Sequence, residues 1–495
     1  MSSEKKVVVV IAGAGARGAY EAGALATLLP VLVERGEIES LVLLGTSAGA
    51  INATLWASRA RPGSDVAQVG EQVKAVWLGI TQERVFRDLL STATRRGLQF
   101  GAGFVNAQLS SWLRGKLQSA AHVSSRFGSL GAGVARKAID TASKLAPEPL
   151  HDVALRPLGE LAERARTMAL PWLGIVHEIS GLLDTSPLFA TAREVLQLAA
   201  LHENVRQAEP ALGPRPFVDG VGVVATSCPI DGSGGRSRVF LYAPSLEVPK
   251  ADPDGALDYV PVDLTSEHVL ASAAIPIAFP PVLVEQPEEH AGWYTDGGVR
   301  LNTPIEPAVK LGATHLIIVS SHATRYPPPR ALGRERPDVL DLGAQSIHAV
   351  LADGMIEDLR TLRNINRLVE KAEADGVEPP RSASGRPYRS IQLLDVAPSN
   401  QGLSHLATET LAELGPWERA QYGLMRLLLT GAGTGAGNNE LLSYLLFHPT
   451  YFRKQFERGA ADARLALERG FQTTTQVSES ERSRDDRRDG AAAED

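Results

Sequence analysis

Two glycine-rich motifs near the start of the chain could carry chemistry, because each follows an apolar run and precedes a helical pattern. The first is GAGARG (13–18), after VVVVIA, and the second is GTSAG (45–49), after LVLL. The first has the Gly-x-Gly-x-x-Gly spacing of a dinucleotide-binding turn, which would indicate an oxidoreductase. Such a site also needs an acidic residue at the end of the second strand to hold the ribose hydroxyls. GTSAG stands there without a carboxylate, which argues against a dinucleotide.

The second motif has the Gly-x-Ser-x-Gly pattern that places a serine on a sharp turn between a strand and a helix. Gly45 and Gly49 let the strand and the helix approach without Cβ clashes, so Ser47 Oγ would project from the turn. The N-terminus of the following helix favours a developing negative charge. Ser47 is therefore a candidate nucleophile.

A serine nucleophile produces an oxyanion, which needs preorganised hydrogen-bond donors. The backbone N–H groups of the first motif suit this role, because glycine permits a nest-like conformation. Both motifs are predicted at the carboxyl ends of neighbouring parallel strands, where α/β sheets place their sites. The expected oxyanion turn consists of Gly13, Ala14, Gly15, Ala16, Arg17 and Gly18.

A base must also accept the serine proton, and the segment GWYTDGGVRLNTP (292–304) contains a candidate. Asp296 follows a short predicted strand and precedes Gly297 and Gly298, in a tight loop suited to presenting a side chain. On this fragment alone, an ordinary Asp-Gly turn is the favoured interpretation. Four nearby histidines are interpreted as structural or surface residues rather than as the base of a triad: His268, His290, His315 and His322.

The elements that position these residues are predicted from the apolar patterns. The first sixty residues alternate between strand and helix, with predicted bounds of 6–12, 17–35, 41–45 and 48–59. Such alternation implies parallel strands with helical crossovers, and continuous apolar runs are typical of buried parallel strands. Later segments are interpreted as strands and buried helices of the same layered structure: 220–227, 238–245, 268–276 and 315–321.

In combination, these motifs resemble the patatin-like phospholipase family. The residues that carry the resemblance are GAGARG (13–18), GTSAG (45–49), ASAAIPIAFPPV (271–282) and DGG (296–298), followed by NTPIEPAVKLGATHLIIV. Weaker similarities are LLDTSPL (182–188) and SYLLFHPTYFRKQFERGAADA (443–463). The resemblance covers roughly residues 5–325. It implies an α/β, patatin-like three-layer fold with a largely parallel central sheet, a helical cap insertion and a helical C-terminal extension.

The resemblance also implies an activity, a lipid acyl hydrolase of the phospholipase or lysophospholipase type. Ser47 would be the acyl-accepting nucleophile, Asp296 would complete a Ser–Asp dyad, and the glycine turn would be the oxyanion hole. Gly45, Gly49, Gly297 and Gly298 would support these motifs. The implied partner is a lipid or acyl-ester substrate, and neither a cofactor nor a metal is expected. The alternative is a non-catalytic membrane- or partner-binding protein that retains the fold.

Two further expectations concern the shape of the glycine turn and the pH dependence of the base. Ala14 stands where family members commonly have a third glycine, and alanine resists positive φ by about 1 kcal/mol or more, so a different turn shape is expected. A carboxylate base is expected to stay active well below about pH 6.5, where a histidine base becomes protonated.

The domain predictions divide the chain into a main domain (5–325), a helical C-terminal extension (326–470) and a disordered tail (471–495). Within the extension, 338–374 is predicted to be helical and 431–439 a glycine-rich loop. A helical insertion at about 100–215 carries a basic stretch opposed only by Asp140: Arg114, Lys116, Arg126, Arg136, Lys137 and Lys144. Peripheral contact with an anionic membrane and a solvated cap helix both explain this stretch.

Composition sets the remaining expectations. A net charge of −7 over 495 residues gives no reason to expect nucleic-acid binding. The single cysteine, Cys228, excludes an intrachain disulfide framework, and we expect it to be a buried small apolar residue. The uncharged stretch 41–58 is interpreted as a strand, a turn and a helix rather than as a membrane span. The expected location is cytoplasmic, with peripheral membrane contact left open.

Overall fold

A largely parallel β-sheet forms the centre of the fold, which is described from a computed structural model. The residues described are 5–87, 183–206, 216–231, 233–249, 256–276, 278–326, 339–381, 385, 387–398, 402–415, 418, 422 and 436–472. The strands in chain order are β1 (Val7–Ile11), β2 (Leu41–Thr46), β3 (Val218–Ser227), β4 (Ser237–Tyr242), β5 (Leu257–Pro261), β6 (Val282–Val284), β7 (Gly292–Asp296), β8 (His315–Val319) and β9 (Gln392–Val396).

The strand order across this sheet is β5-β4-β3-β2-β1-β8-β9, with β7 paired to β3 and β6 paired to β7. Five pairs are parallel, namely β1 with β2, β1 with β8, β2 with β3, β4 with β5, and β8 with β9. The pairs β3–β4, β3–β7 and β6–β7 are antiparallel. Because β1, β2 and β8 run in one direction, the segments that follow them leave the sheet at the same edge.

Helices flank the sheet and connect its strands. They are α1 (Gly18–Glu34), α2 (Ala48–Arg59), α3 (Val66–Leu78), α4 (Gln82–Val85), α5 (Ser186–Val195), α6 (Leu198–Arg206), α7 (Ser266–Ser272), α8 (Ile305–Lys310), α9 (Val339–His348), α10 (Gly354–Ala374), α11 (Gly402–Glu413), α12 (Ala436–Leu445) and α13 (Pro449–Arg469). A π-helical turn, Ala349–Asp353, joins α9 to α10. Among the described residues, no helix combines the length and hydropathy needed to cross a membrane.

The core lies against both faces of the central strands. Val8 and Val10 of β1 pack with residues of α8 and α10, such as Ile305 and Leu359, on one face. Alternate residues of a strand point to opposite faces, and α2 packs against β1, β2 and β3 on the other. Every residue of β1 and β2 is buried, which explains why both strands are uninterrupted apolar runs.

Most of the predicted strands and helices are confirmed. Strands β1 and β2 and helices α1 and α2 lie within one or two residues of their predicted bounds. The uncharged stretch 41–58 is strand β2, a turn at Ser47 and most of α2. The segment predicted as helical, 338–374, is helical from Val339 onward through α9, the π-helical turn and α10.

Three predictions need correction. The C-terminal extension is not wholly helical, because its short apolar run QLLDV forms β9 and pairs with the otherwise open edge of β8. The end of the predicted glycine-rich loop, 436–439, begins helix α12, so tertiary packing outweighs the low helix propensity of glycine and asparagine. Cys228 is half-buried rather than buried, because it lies just beyond the end of β3.

Some predictions concern segments outside the described residues. The basic stretch from Arg114 to Lys144 and nearly all of the predicted tail (471–495) belong to this group. The last part of the predicted insertion is described and is helical, as α5 and α6.

Candidate active site

Ser47 lies on a strained turn between β2 and α2, as the Gly-x-Ser-x-Gly pattern predicts. Its backbone has φ +55° and ψ −124°, a conformation that a residue with a Cβ adopts at a cost of about 1–3 kcal/mol. The turn is tight, because a Cβ on Gly45 would lie 2.2 Å from the carbonyl oxygen of Gly49. The N-terminus of α2 therefore begins immediately after the serine.

A second serine, which sequence reasoning did not single out, holds the backbone of the Ser47 turn. The Ser47 N–H donates to Ser272 Oγ at 2.8 Å, and Ser272 Oγ in turn donates to the Val224 carbonyl of β3. Ser272 ends α7 and belongs to the ASAAIP segment. That segment therefore supports the nucleophile turn from a neighbouring element.

Asp296 lies beside the Ser47 turn, since a Cβ on the adjacent Gly297 would be 2.9 Å from Thr46 Cγ2. It is the last residue of β7, and its N–H donates to the Ala274 carbonyl at 2.9 Å. Its buried carboxylate accepts a hydrogen bond from the Gly298 N–H at 2.7 Å, and the Ser47 side chain is near enough to favour its charged form. Burial raises the pKa of Asp296 to about 6, although the nearby Ser47 side chain and the Gly298 N–H oppose the shift.

The glycine turn lies beside the serine, since a Cβ on Gly13 would be 3.1 Å from Ser47 Cβ. Gly15 has φ +53°, so this position needs glycine. Ala14 has φ −148°, which alanine adopts without the penalty expected from sequence. The replacement of a glycine by Ala14 is therefore compatible with this turn.

The backbone N–H groups of this turn differ in availability. The Gly13 N–H donates to the Asn302 carbonyl at 3.1 Å, the Arg17 N–H to the Ala14 carbonyl at 3.0 Å, and the Gly18 N–H to the Gly15 carbonyl. Within the described part of the chain, the amides of Ala14, Gly15 and Ala16 have no acceptor. Among the described residues, three of the six residues predicted for the oxyanion turn therefore keep a backbone N–H without an acceptor.

Asn302 connects the glycine turn to the aspartate loop and was missed at the sequence level. Its carbonyl accepts the Gly13 N–H, and its Nδ2 donates to the Leu351 carbonyl at 2.8 Å. Its buried Oδ1 has no partner among the described residues and lies where a Cβ on Gly13 or Gly298 would be. The only sequence indication was its position in NTP, directly after the DGG segment.

The histidines near Asp296 make other contacts. His268 Nδ1 lies 3.0 Å from the Thr265 N–H and caps α7, while its Nε2 lies 2.9 Å from the Gln286 carbonyl oxygen. His290 lies in a short 3-10 turn, and His315 begins β8 and contacts Phe471. These positions agree with the predicted structural or surface roles.

A family comparison bears on what this arrangement does. The family model described as Patatin-like phospholipase matches residues 9–309, which is more than half of the chain and includes Ser47, Asp296 and the glycine turn. The chain belongs to the patatin-like phospholipase family. This membership supports a lipid acyl hydrolase, and the α/β architecture with its largely parallel central sheet is the patatin-like fold.

Two solved structures show similarity to this patatin-like chain. VipD from Legionella pneumophila is 15% identical, with a TM-score of 0.29, and the match covers 80% of this chain and 61% of that chain. The heterodimeric ExoU–SpcU complex from the type III secretion system of Pseudomonas aeruginosa gives 17% identity, a TM-score of 0.21, and coverage of 72% and 51%. The chain therefore spans between half and two thirds of these proteins. No curated protein sequence matches it.

Gly15→Ala is expected to lower kcat by about 10²-fold with little change in KM, the effect of losing one oxyanion donor. The new Cβ would lie 2.7 Å from the Tyr444 carbonyl oxygen at a positive φ, so the turn must shift. Gly36→Ala is the matched control, because Gly36 has φ +68° and open space around it. Steady-state kinetics of both variants check the prediction. A raised KM with unchanged kcat for Gly15→Ala would instead indicate a substrate-binding loop.

Proposed function

We propose that this protein is a serine lipid acyl hydrolase that cleaves carboxylic esters through a Ser47–Asp296 dyad and an acyl-enzyme. The observation that carries the proposal is that the buried Asp296 lies beside the Ser47 turn, where a Cβ on the adjacent Gly297 would be 2.9 Å from Thr46 Cγ2. This placement supports catalysis over the non-catalytic alternative, because a nucleophile and its base must lie within hydrogen-bonding reach.

The first half-reaction forms the acyl-enzyme. Ser47 Oγ attacks the ester carbonyl carbon while Asp296 takes the hydroxyl proton, and the carbonyl oxygen becomes an oxyanion. The amides of Ala14, Gly15 and Ala16, which have no acceptor among the described residues, are the donors we assign to that oxyanion. Collapse of the tetrahedral intermediate breaks the ester bond, and the leaving alcohol takes the proton from Asp296.

The second half-reaction releases the fatty acid. A water molecule attacks the acyl carbon as Asp296 again accepts a proton, and that proton returns to Ser47 when the serine leaves. Burial makes Asp296 a stronger base than an exposed carboxylate, yet a pKa of about 6 leaves it mostly ionised at pH 7. The positive end of α2 lies next to the reacting oxygen and favours the oxyanion.

The proposed substrates are phospholipids, lysophospholipids or other acyl esters. Contact with an anionic membrane through the basic stretch that includes Arg114 and Lys144 stays part of the proposal, although those residues lie outside the described ones. The solvated cap remains the alternative explanation for that stretch.

The test is to incubate the native protein with a panel of phospholipids, lysophospholipids, triacylglycerols and simple esters. Mass spectrometry then measures released fatty acids, and protein pretreated with a fluorophosphonate serves as the control. We expect release only from untreated protein, and a single adduct on the peptide that contains Ser47. Absence of release from every ester, or an adduct on another residue, would contradict the proposal.

A further inference from the structure

We propose that helix α12, which lies beyond the family-matched region, positions the oxyanion turn through Tyr444, Ser443 and Glu440. The inference rests on the proposed function, because it assigns these three side chains to the placement of donors that act on the reaction. They are positioning residues, since they act through Arg17 and Gly15. The match to the family ends at residue 309, more than a hundred residues before α12 begins.

The first contact is a buried guanidinium. Arg17 is 3% exposed, and a buried charge is expensive unless its donors are paired. Its Nε donates to Ser443 Oγ at 2.9 Å, its Nη1 to the Tyr444 hydroxyl at 3.2 Å, and its Nη2 to Glu440 Oε1 at 2.6 Å. The guanidinium also lies 4.1 Å from the centre of the Tyr444 ring. Every one of these partners belongs to α12.

The second contact is between backbones. The Tyr444 carbonyl oxygen lies 2.7 Å from the place where a Cβ of Gly15 would be, so α12 limits where the turn can go. The Arg17 N–H closes the same turn by donating to the Ala14 carbonyl. A shift of α12 would therefore move the free amides of Ala14, Gly15 and Ala16 together. Misplacement by about 1 Å is enough to lower a rate by about 10²-fold.

The third contact ties the Tyr444 hydroxyl to the sheet. His322 follows β8, is buried, and has Nε2 2.6 Å from the Tyr444 hydroxyl oxygen. Burial, with Arg17 and His348 nearby, holds the pKa of His322 well below its ordinary value, so the ring is neutral and shares a hydrogen bond with the tyrosine hydroxyl. The hydroxyl oxygen accepts from Arg17 in turn. One hydroxyl therefore joins the turn, α12 and the end of β8.

Arg17 alone therefore does not define the geometry of its motif. Its hydrogen-bond partners lie 423 to 427 residues later in the sequence. They belong to a helix outside the family-matched region, and that helix packs against the glycine turn. Helix α13 continues the contact, because Gln455 Oε1 accepts the Tyr20 N–H at 3.0 Å near the start of α1. The C-terminal segment is thus part of the proposed catalytic unit.

The test compares Tyr444→Phe with Tyr422→Phe in the full-length protein. Both changes remove one buried tyrosine hydroxyl, but Tyr422 donates to the Phe447 carbonyl at 3.0 Å and, among the described residues, makes no hydrogen bond to the glycine turn. Active sites are titrated with a fluorophosphonate, and kcat per titrated site, KM, the labelling rate and Tm are measured. We expect Tyr444→Phe to lower kcat and the labelling rate by about 10-fold to 10²-fold, with KM within about 3-fold. Tyr422→Phe keeps native kcat.

A second variant and the activity of the native protein complete the test. Ser443→Ala, which removes the acceptor for Arg17 Nε, is expected to lower kcat in the same way and replaces Tyr444→Phe if that variant does not fold. Equal kcat per titrated site in Tyr444→Phe, Ser443→Ala and Tyr422→Phe would overturn the inference. If the native protein neither hydrolyses esters nor takes up the probe, the proposed function fails and this inference fails with it.

Discussion

Replacing Ser47 by alanine is expected to lower kcat for ester hydrolysis by about 10⁴-fold or more and to abolish fluorophosphonate labelling, the scale seen when a serine nucleophile is removed. The reason is that the variant lacks the hydroxyl that we assign to the attack on the ester carbonyl. The fold should persist, because the Ser47 N–H keeps its bond to Ser272 Oγ. Hydrolysis rates, intact-protein mass after labelling, and thermal unfolding are the measurements.

Ser47→Gly is the matched control for the strained turn. Both variants lack the hydroxyl and should be equally inactive, but glycine adopts φ near +55° without the Cβ penalty of about 1–2 kcal/mol. Ser47→Gly should therefore have a higher Tm than Ser47→Ala. Turnover by either variant within about 10-fold of the native rate would rule out Ser47 as the nucleophile. An equal or reversed order of Tm would show that the turn stores no strain.

The elements nearest the motifs could be predicted because their signals are local. Strands β1 and β2 are uninterrupted apolar runs, and each is followed by a glycine turn and a helix. Parallel neighbours end at the same edge of a sheet, so Ser47 and the Gly13–Gly18 turn had to be close once those strands paired. Asp296 needed the resemblance as well, since on its own fragment a turn was the favoured interpretation.

The remaining contacts could not be predicted because they join distant parts of the chain. Strand β9 is five residues long, and its partner β8 ends more than seventy residues earlier. The sequence predicts the Gly13 N–H as an oxyanion donor, but in the structure it donates to the carbonyl of Asn302, far along the chain. Likewise, nothing local to Tyr444 indicates that α12 brings it against Gly15. The residue pattern predicts where a turn lies, but tertiary contacts determine which of its backbone N–H groups are already hydrogen-bonded.

The expected behaviour of the base also changes with the structure. An ordinary carboxylate would stay ionised well below pH 6.5, but burial raises the pKa of Asp296 to about 6. The base must be ionised to accept a proton, so kcat/KM should rise with pH and be half-maximal near pH 6. The pKa of His315 is lowered to about 4 by burial, and that of His322 lies well below its ordinary value. A rise of kcat/KM that is half-complete near pH 6 would therefore indicate Asp296 as the base rather than His315 or His322.

Asp296→Asn is accordingly expected to lower kcat by about 10³-fold or more, whereas single glutamine substitutions at His268, His290 and His315 should not. Asparagine keeps the oxygen that accepts the Gly298 N–H, but it cannot accept the Ser47 proton. His322→Gln should have a smaller effect, through Tyr444. Each variant is measured after its fold is checked by thermal unfolding. A folded histidine variant that loses about 10³-fold in kcat would show that a triad operates instead of the dyad.

The same substitution should make the protein more stable at neutral pH while it inactivates it. The folded-state pKa of Asp296 is raised from 3.8 to about 6, so the folded state binds a proton more tightly than the unfolded chain does. The contribution of Asp296 to the free energy of unfolding therefore falls as pH rises from about 4 to 6, by up to about 3 kcal/mol at 1.36 kcal/mol per pKa unit. Asparagine does not titrate, so its contribution to stability does not change with pH. The difference in Tm, variant minus native, should therefore increase by a few degrees between pH 4.5 and pH 7.5. A Tm difference that does not change over this interval would mean that the buried carboxylate is not held at a raised pKa, and Asp296 would then lack the basicity that the proposed mechanism assigns to it.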